Sequence, residues 1–141
     1  MTSSVSAVVL AAGKGTRMNS ALPKVAHAAA GRPILDYVLD CCREIKARTT
    51  VVVVGHQADA VRAAIGEAAG LSFVTQEPQL GTGHAVQQAL PKVPPGDVAV
   101  ILYGDVPLVQ PATLKKLIAR AAKGQVAVLT AEMADPKGYG R

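Results

Sequence analysis

A glycine-rich loop with three cations stands near the start of the chain and has the residue types of a phosphate-binding site. An apolar run over residues 8–12 leads into Gly13-Lys14-Gly15-Thr16-Arg17-Met18, and Lys24 follows after a polar break. Glycine has no Cβ, so backbone N–H groups can converge on an anion, and Lys14, Arg17 and Lys24 add positive charge. The loop therefore predicts a ligand that carries phosphate groups.

The two most familiar phosphate fingerprints do not fit this loop. A dinucleotide-binding G-x-G-x-x-G pattern would need a third glycine where Met18 stands. A Walker A pattern would need a glycine at Val8 and a Ser or Thr directly after Lys14. We therefore predict a nucleotide-binding loop of another kind.

A carboxylate, Asp105, follows the apolar run over residues 98–103 and comes shortly before Pro107. An ionised carboxylate at the end of a buried strand is costly unless it is paired. In a phosphate site, a divalent cation that also binds phosphate oxygens is its natural partner. We therefore predict that Asp105 is a metal ligand, and the alternative is an aspartate that only caps a turn before proline.

A second glycine loop, Gln79-Leu80-Gly81-Thr82-Gly83-His84, leads into a predicted helix. The free N–H groups of a helix start can bind an anion or contact the polar edge of a base. Gln76, just before the loop, offers both a hydrogen-bond donor and an acceptor, as a group that recognises an amide must. The alternative is that Thr82 only caps the helix.

The histidines and cysteines are predicted to be structural, and the alternative for His84, near a helix start, is contact with a ligand. His27, His56 and His84 lie in three separate loops without the spacing of metal ligands, and no catalytic triad can be assembled from them. Cys41 and Cys42 are the only cysteines, and two adjacent cysteines form neither a disulfide framework nor a metal motif. We expect them to pack as small hydrophobic residues on a helix.

Composition limits the class of protein. The 141 residues are enough for one domain with a sizeable core, and half of them are hydrophobic. The net charge is +5, but Lys and Arg are scattered and only 3% of residues are aromatic. Because nothing here would stack bases or form a dense basic patch, we predict solvated helix faces and no nucleic-acid interface.

Targeting signals are also absent from the sequence pattern. No signal peptide precedes the first predicted strand, and the longest apolar run is far shorter than the roughly 20 residues of a membrane span. We therefore expect a cytoplasmic protein that is kept reduced and does not contact a membrane.

Strand-like and helix-like segments alternate along the whole chain. The predicted strands are residues 6–11, 49–54, 71–75, 98–103 and 125–132, and the predicted helices are residues 33–46, 58–69, 83–90 and 111–122. Several strands are apolar on both faces, which indicates a parallel sheet with right-handed crossovers. The predicted fold class is α/β, a Rossmann-like, mostly parallel sheet with helices on both faces.

The unusual loops all follow strands, at residues 13–19, 76–83 and 104–107. Ligands of open parallel sheets bind beyond the carboxyl ends of the strands. The three loops therefore predict one site at one edge of the sheet.

Five segments, taken together in order and spacing, resemble one family. They are Leu10-Ala11-Ala12-Gly13-Lys14-Gly15-Thr16-Arg17-Met18, Leu22-Pro23-Lys24, Gln79-Leu80-Gly81-Thr82-Gly83-His84-Ala85, Leu102-Tyr103-Gly104-Asp105-Val106-Pro107-Leu108 and Gly138-Tyr139-Gly140-Arg141. The chain resembles the N-terminal uridylyltransferase half of the bacterial bifunctional N-acetylglucosamine-1-phosphate uridylyltransferases and glucosamine-1-phosphate acetyltransferases. The first segment alone would indicate only a sugar nucleotidyltransferase, and the third and fourth are more selective.

The resemblance implies a nucleotide-diphospho-sugar transferase fold and a reaction of cell-wall precursor synthesis. UTP and N-acetylglucosamine 1-phosphate would give UDP-N-acetylglucosamine and pyrophosphate with Mg²⁺. The resemblance implies that the nucleotide contacts Leu10, Ala11, Ala12 and Gly13, and that the phosphates and the catalytic step depend on Arg17 and Lys24. It implies that uracil is recognised by Gln76, Gly81 and Thr82. The ribose and the sugar would contact Tyr103, Gly104 and the backbone of Gly140, and Asp105 would bind Mg²⁺.

The family pattern continues beyond the last residue of this sequence. It adds the rest of the sugar pocket, with an asparagine that shares the Mg²⁺, and a left-handed β-helix that transfers acetyl groups and forms a trimer. We therefore expect residues 1–141 to be the nucleotide-binding part of the transferase domain, with UTP affinity and weak or no turnover. The alternatives are a transferase for another sugar 1-phosphate or base, and a nucleotide-binding module without catalysis.

Overall fold

Four parallel strands form the central sheet of the computed structural model, which describes residues 3–13, 15 and 19–138. They are β1 (Val5–Ala11), β4 (Thr49–Val54), β5 (Leu71–Thr75) and β6 (Val98–Tyr103), in the order β5-β4-β1-β6. Two short strands between them, β2 (Ala28–Ala29) and β3 (Arg32–Pro33), pair antiparallel with each other. The predicted parallel α/β sheet is confirmed, and the small β2–β3 pair is an addition to it.

Four α-helices connect the strands. They are α1 (Ile34–Glu44), α2 (Ala58–Ile65), α3 (Thr82–Ala89) and α4 (Pro111–Ala121), and short 3-10 turns cover Lys24–Ala26 and Leu90–Lys92. All four were predicted, but α2 ends earlier than expected. Gly66, at φ 75°, is its C-cap and donates its N–H to the carbonyl of Arg62. In the described part of the chain, no helix has the length and apolar character needed to cross a membrane.

The core lies on both faces of the sheet because alternate residues of each strand point to opposite sides. On one face Val9 and Val52 pack with Leu35 and Val38 of α1 and Leu114 of α4, and all five are at most 2% exposed. The other face carries a smaller cluster. Its buried members are Val8, Val51, Val53, Ala85 and Ala89. Alanines on α3 let that helix approach the sheet closely.

Cys41 and Cys42 are both buried in the larger cluster, as predicted. Burial raises the pKa of the Cys42 thiol to about 12 and also raises the pKa of Cys41. Both thiols therefore remain protonated at neutral pH and behave as small hydrophobic groups.

The prediction of a fifth strand over residues 125–132 is wrong. That segment has no regular secondary structure, and Val126 and Val128 are 94% and 72% exposed. A strand needs a neighbour to accept its backbone hydrogen bonds. Within the described residues, β6 pairs with β1 alone, so the apolar pattern of this segment has no ladder to join.

The amino ends of three strands are joined by one cluster of side chains. Asp97, directly before β6, accepts hydrogen bonds from Ser6 of β1 at 2.5 Å and from Arg48, just before β4. The Arg48 guanidinium is bidentate, with Nε at 2.9 Å and Nη2 at 2.6 Å from the two carboxylate oxygens. These hydrogen bonds, those from Arg48 foremost and then that from Ser6, lower the pKa of Asp97. The cluster stands at the sheet edge opposite the unusual loops.

Candidate functional site

A cleft of about 550 Å³ opens at the carboxyl edge of the sheet, beyond β1 and β6. Ten residues that the sequence placed in the site line this cleft. They are Leu10, Ala11, Ala12, Gly13, Lys24, Gln76, Gly81, Thr82, Tyr103 and Asp105. The fold thus gathers all three unusual loops around one cavity.

Gly104 lies beneath the cleft rather than in its wall. Its N–H donates to the carbonyl of Leu10 at 2.9 Å, which extends the β1–β6 ladder by one residue. A Cβ at this position would stand 3.1 Å from that carbonyl oxygen and 3.2 Å from the Leu35 side chain. Glycine therefore allows the two strand ends to close under the site. Arg17 and Gly140, also predicted for the site, lie outside the described residues, as does Lys14.

The first loop and the end of β6 meet through an ion pair. Lys24 Nζ stands 2.7 Å from Asp105 Oδ2, with the two side chains 45% and 33% exposed. The loop approaches closely because Gly15, at φ 55°, has only hydrogen where a Cβ would lie 3.2 Å from the Lys24 Cβ. Among the described residues, the Asp105 carboxylate makes no hydrogen bond to backbone, so it does not cap a turn.

Among the residues that the structure describes, Asp105 is the only carboxylate that lines the cleft. The described residues contain no cluster of three or more His, Cys, Asp or Glu side chains that would enclose a metal ion. Mg²⁺, however, usually keeps several waters and binds through one or two carboxylates together with substrate phosphates. The donor set therefore fits a cation that arrives with a phosphorylated ligand and does not fit a protein cage.

Gln76 forms the floor of the cleft on the side of the second loop. Its backbone N–H donates to the carbonyl of Val54 at 2.8 Å, and the residue is only 5% exposed. Its side-chain Nε2 donates to the carbonyl of Gly81 at 2.9 Å and lies 3.1 Å from His84 Nδ1. The amide is therefore held in place before any ligand binds.

Helix α3 begins at the cleft without a side-chain cap. Its N-cap is Gly81, at φ 103° and ψ 179°, a conformation that is essentially restricted to glycine. Thr82 is the first helical residue and makes no capping hydrogen bond, so the alternative role as a cap is wrong. The first N–H groups of the helix have no intrahelical acceptor and stand at the wall of the cleft.

Two polar residues of the site were not predicted. Gln79 donates from Nε2 to the carbonyl of Ala12 at 2.8 Å and so ties the second loop to the first. His84 was interpreted as structural, yet it contacts Gln76 directly. Both belong to the second glycine loop, residues 79–84, which was predicted to contribute to the site, but neither side chain was given a role there. Val25 and Ala85 contribute apolar side chains to the lining of the cleft.

The chain matches the family profile of the MobA-like NTP transferase domain over residues 7–139. It is 54% identical over 140 residues to a protein named "Bifunctional protein GlmU" from Polaromonas naphthalenivorans. It is 56% identical over 134 residues to the protein of that name from Paraburkholderia xenovorans. Both alignments cover 95% of this chain, which spans about 30% of the length of the curated relatives it matches. These relatives confirm the resemblance seen in the sequence.

Solved structures agree with the fold. The crystal structure of Rv0371c from Mycobacterium tuberculosis superposes with a TM-score of 0.76 at 30% identity, covering 87% of this chain and 63% of that one. A structure of Rv0371c in complex with manganese has a TM-score of 0.72, also at 30% identity, and covers 86% and 61% of the two chains. The α/β fold class is thereby confirmed.

Proposed function

The chain belongs to the family of MobA-like NTP transferase domains, and on that premise we propose that it binds UTP for uridylyl transfer to N-acetylglucosamine 1-phosphate. The products would be UDP-N-acetylglucosamine and pyrophosphate. The observation that carries this proposal is the convergence of Lys24, Asp105 and Gln76 on one cleft at the carboxyl edge of the sheet. The cation suits a phosphate group, the carboxylate suits a metal ion, and the amide suits a base.

The cationic side of the cleft suits the phosphates of UTP. Lys24 lines the cavity. The family resemblance implies that Arg17 also binds the phosphates. Both reactants are anions that repel each other, so the reaction depends on neutralising charge and on aligning the attacking oxygen with the departing pyrophosphate. We assign Lys24 and Arg17 that role.

Asp105 is assigned as the protein ligand of a divalent cation, which we propose to be Mg²⁺. When bound, such an ion neutralises phosphate charge and orients the oxygens of the nucleotide. The Lys24 ammonium holds Oδ2 of this carboxylate and would compete with a metal ion for its charge. An ammonium group that the metal displaces would be available to a phosphate oxygen within the same cleft.

We assign the nucleoside to the end of β1 and to the second glycine loop. Leu10, Ala11, Ala12 and Gly13 would contact the nucleotide through the end of β1, and Gln76, Gly81 and Thr82 would recognise the uracil. Tyr103, Gly104 and the backbone of Gly140 are assigned to the ribose and the sugar.

A general base is not needed for this reaction. The attacking group is a phosphate oxygen that is already ionised near neutral pH, so no proton has to be removed. Consistent with this, no histidine or glutamate occurs among the described residues that line the cleft.

Replacing Asp105 by Asn tests the assignment of the metal. We expect UTP binding by Asp105→Asn to lose its dependence on Mg²⁺, because the neutral amide is a poorer ligand for a hard cation. Titration calorimetry with and without Mg²⁺ measures the effect. Glu67→Gln, on the exposed loop after α2, removes the same charge away from the cleft and serves as the control. An unchanged Mg²⁺ dependence in Asp105→Asn would show that the metal is held elsewhere.

The acceptor sugar separates this proposal from its closest alternatives. A panel of sugar 1-phosphates with UTP and Mg²⁺, followed by release of pyrophosphate, identifies the preferred acceptor. A faster reaction with another sugar 1-phosphate would favour the alternative transferase. Binding of UTP without product from any member of the panel would favour a nucleotide-binding module.

The chain covers only part of its relatives, and we propose a matching division of roles. Residues 1–141 would be the nucleotide-binding part of the sugar nucleotidyltransferase domain, while acyl transfer and trimer formation would belong to other parts of the relatives. The substrates are cytoplasmic metabolites, so we propose that location for the protein.

A further inference from the structure

The side chain of His84 lies between two glutamine amides. Its Nδ1 is 3.1 Å from Gln76 Nε2, and its Nε2 is 3.1 Å from Gln88 Nε2. A neutral imidazole has one N–H donor and one bare acceptor nitrogen, so its two partners must differ in role. The third member of the network, Gly81, decides which is which.

The carbonyl of Gly81 can only accept a hydrogen bond, so the group of Gln76 that lies 2.9 Å from it is the NH₂ group. The same NH₂ group also faces His84, and Nδ1 must therefore be the acceptor. The imidazole proton is left on Nε2, where it donates to Gln88. The Gln88 amide accordingly turns its oxygen to the histidine, an orientation that hydrogen bonding alone assigns.

This network uses both amide hydrogens of Gln76. Within the described part of the chain its Oε1 has no hydrogen-bond partner, and Gln76 lines the cleft. The side chain is therefore committed to present an acceptor, and not a donor, to a bound base.

We propose that His84 is a positioning residue that contributes to base specificity: together with the Gly81 carbonyl, it holds the amide of Gln76 with its oxygen toward the ligand. The inference rests on the proposed function and deepens it. Uracil has an N–H group at ring position N3 and suits this oxygen, whereas cytosine has a bare nitrogen there. To accept cytosine, Gln76 would have to rotate its amide. It would then lose its hydrogen bond to Gly81, and His84 would have to give up either its bond to Gln76 or the Nε2–H form that donates to Gln88.

The size of the effect follows from one hydrogen bond. With leucine at position 84, rotation of the Gln76 amide would break only its hydrogen bond to Gly81. In the wild-type chain, the same rotation would also disturb the hydrogen bond between Gln76 and His84. A single hydrogen bond contributes enough to change a binding ratio by about three- to tenfold. We expect the preference for UTP over CTP to fall by that factor.

Leu and Asn at position 84 form a matched pair for the test. His84→Asn keeps an acceptor oxygen near the place of Nδ1, whereas His84→Leu has similar volume and no polar atom. Titration of the full chain with UTP and CTP should show the reduced preference in His84→Leu and a nearly unchanged preference in His84→Asn. Gln87→Leu, on the exposed side of α3, should match the wild-type chain.

The outcomes are distinguishable. If His84→Leu binds UTP and keeps the wild-type UTP-to-CTP ratio, the inference is overturned while the proposed function stands. A purely structural role would weaken both nucleotides equally and leave that ratio unchanged. If the folded wild-type chain does not bind UTP, the proposed function fails, and the specificity inference fails with it.

A second measurement needs no ligand. The ring-nitrogen NMR shifts of His84 in the wild-type chain report which nitrogen carries the proton. The network predicts the Nε2–H form. Observation of the Nδ1–H form would overturn the inference whatever the nucleotide titrations show, because Nδ1 would then no longer accept from Gln76.

Discussion

Among single residues, Lys24 has one observed contact and one proposed task. Its ammonium pairs with Asp105 at 2.7 Å, which compensates the charge of the carboxylate, and we propose that it also binds a phosphate group. Both side chains are partly exposed, and an ion pair of this kind contributes little to stability because water and salt screen it. Under the proposed function, we therefore interpret the pair as an arrangement that phosphate and metal would replace rather than as a structural bond.

Lys24→Gln should separate the contact from the proposed task. We expect a loss of stability of at most about 1 kcal/mol, because the pair is partly exposed. UTP binding should weaken about tenfold, since a charge-assisted hydrogen bond to phosphate is lost. Binding of Mn²⁺ to the nucleotide-free chain should instead become tighter because Asp105 no longer has a competitor.

Urea unfolding and titration calorimetry measure these effects. Lys115→Gln, on the exposed side of α4, makes the same change of charge at a distance and should leave all three quantities unchanged. Weaker Mn²⁺ binding in Lys24→Gln would contradict the view of Lys24 as a competitor for the carboxylate.

Sequence reasoning found residues whose own chemistry is unusual for their position. Asp105 after an apolar run and Gln76 before a glycine loop are of this kind, and both line the cleft. His84 was missed although its contacts to Gln76 and Gln88 are only eight and four positions away, because a histidine near a helix start has no distinctive spacing. Gln79 was missed because its contact joins separate segments. The bond from Gln79 to Ala12, for example, spans 67 positions along the chain. Such partners cannot be read from local spacing.

Among the elements, three strands are connected through Asp97 at their amino ends, on the edge of the sheet opposite the cleft. Its side chain is only 2% exposed and contacts both Ser6 and Arg48. A buried carboxylate requires such partners. The cluster aligns β1, β4 and β6 at their amino ends, which sets where their carboxyl ends carry the site.

Acid should reduce the stabilisation that the hydrogen bonds of Asp97 provide. The hydrogen bonds from Arg48 and Ser6 hold the pKa of Asp97 below its usual value of 3.8. A group with a lowered folded pKa stabilises the protein above its unfolded pKa, and that stabilisation is lost as the pH falls through the folded pKa. We expect Asp97→Asn to be less stable than wild type at pH 7, with the difference shrinking below pH 3.8.

Urea unfolding at a series of pH values tests this expectation. Asp59→Asn, at an exposed position on α2, is the control and should not show the trend. A stability difference between Asp97→Asn and wild type that stays constant into acid would contradict the assigned role.

The contact between the first and second loops depends on Gly55, directly after β4. A Cβ here would stand 2.8 Å from the Ala12 carbonyl oxygen and would meet the Gln79 amide that donates to it. We therefore expect Gly55→Ala to cost about 1–3 kcal/mol of stability and to weaken UTP binding, because the loops must separate.

Gly83→Ala is the matched control for that experiment. A Cβ at Gly83 would meet no atom within 4 Å, and alanine favours a helix by up to about 1 kcal/mol over glycine. Thermal unfolding and UTP titration report both effects. A Gly55→Ala chain as stable as wild type would show that the two loops have room to adjust.

Apolar patterning predicted most elements because each one buries a face of its own. Strand β4, a run of Thr and Val, and helix α1, with apolar residues three and four apart, are examples. Residues 125–132 have the same local pattern but lack a neighbouring strand, and pairing is a property of the sheet. The end of α2 was missed because Gly66 and Gly70 are equally good caps by sequence.

At the scale of the whole molecule, basic residues are spread along the chain, whereas few charged residues line the cleft. The chain carries a net charge of +5, yet in the described part of the chain Lys24 is the only cation and Asp105 the only anion that line the cleft. The other basic residues that the structure describes lie outside the lining of the cleft. We therefore expect the residues at the carboxyl edge of the sheet, and not the net charge of the chain, to select the ligand.

The most direct test of this account is titration calorimetry of the chain with UTP, CTP, ATP and GTP, each with and without Mg²⁺. The account predicts that UTP binds more tightly than the other three nucleotides and that Mg²⁺ strengthens its binding. Equal affinity for all four nucleotides, or no binding of UTP by a sample shown to be folded, would contradict the account.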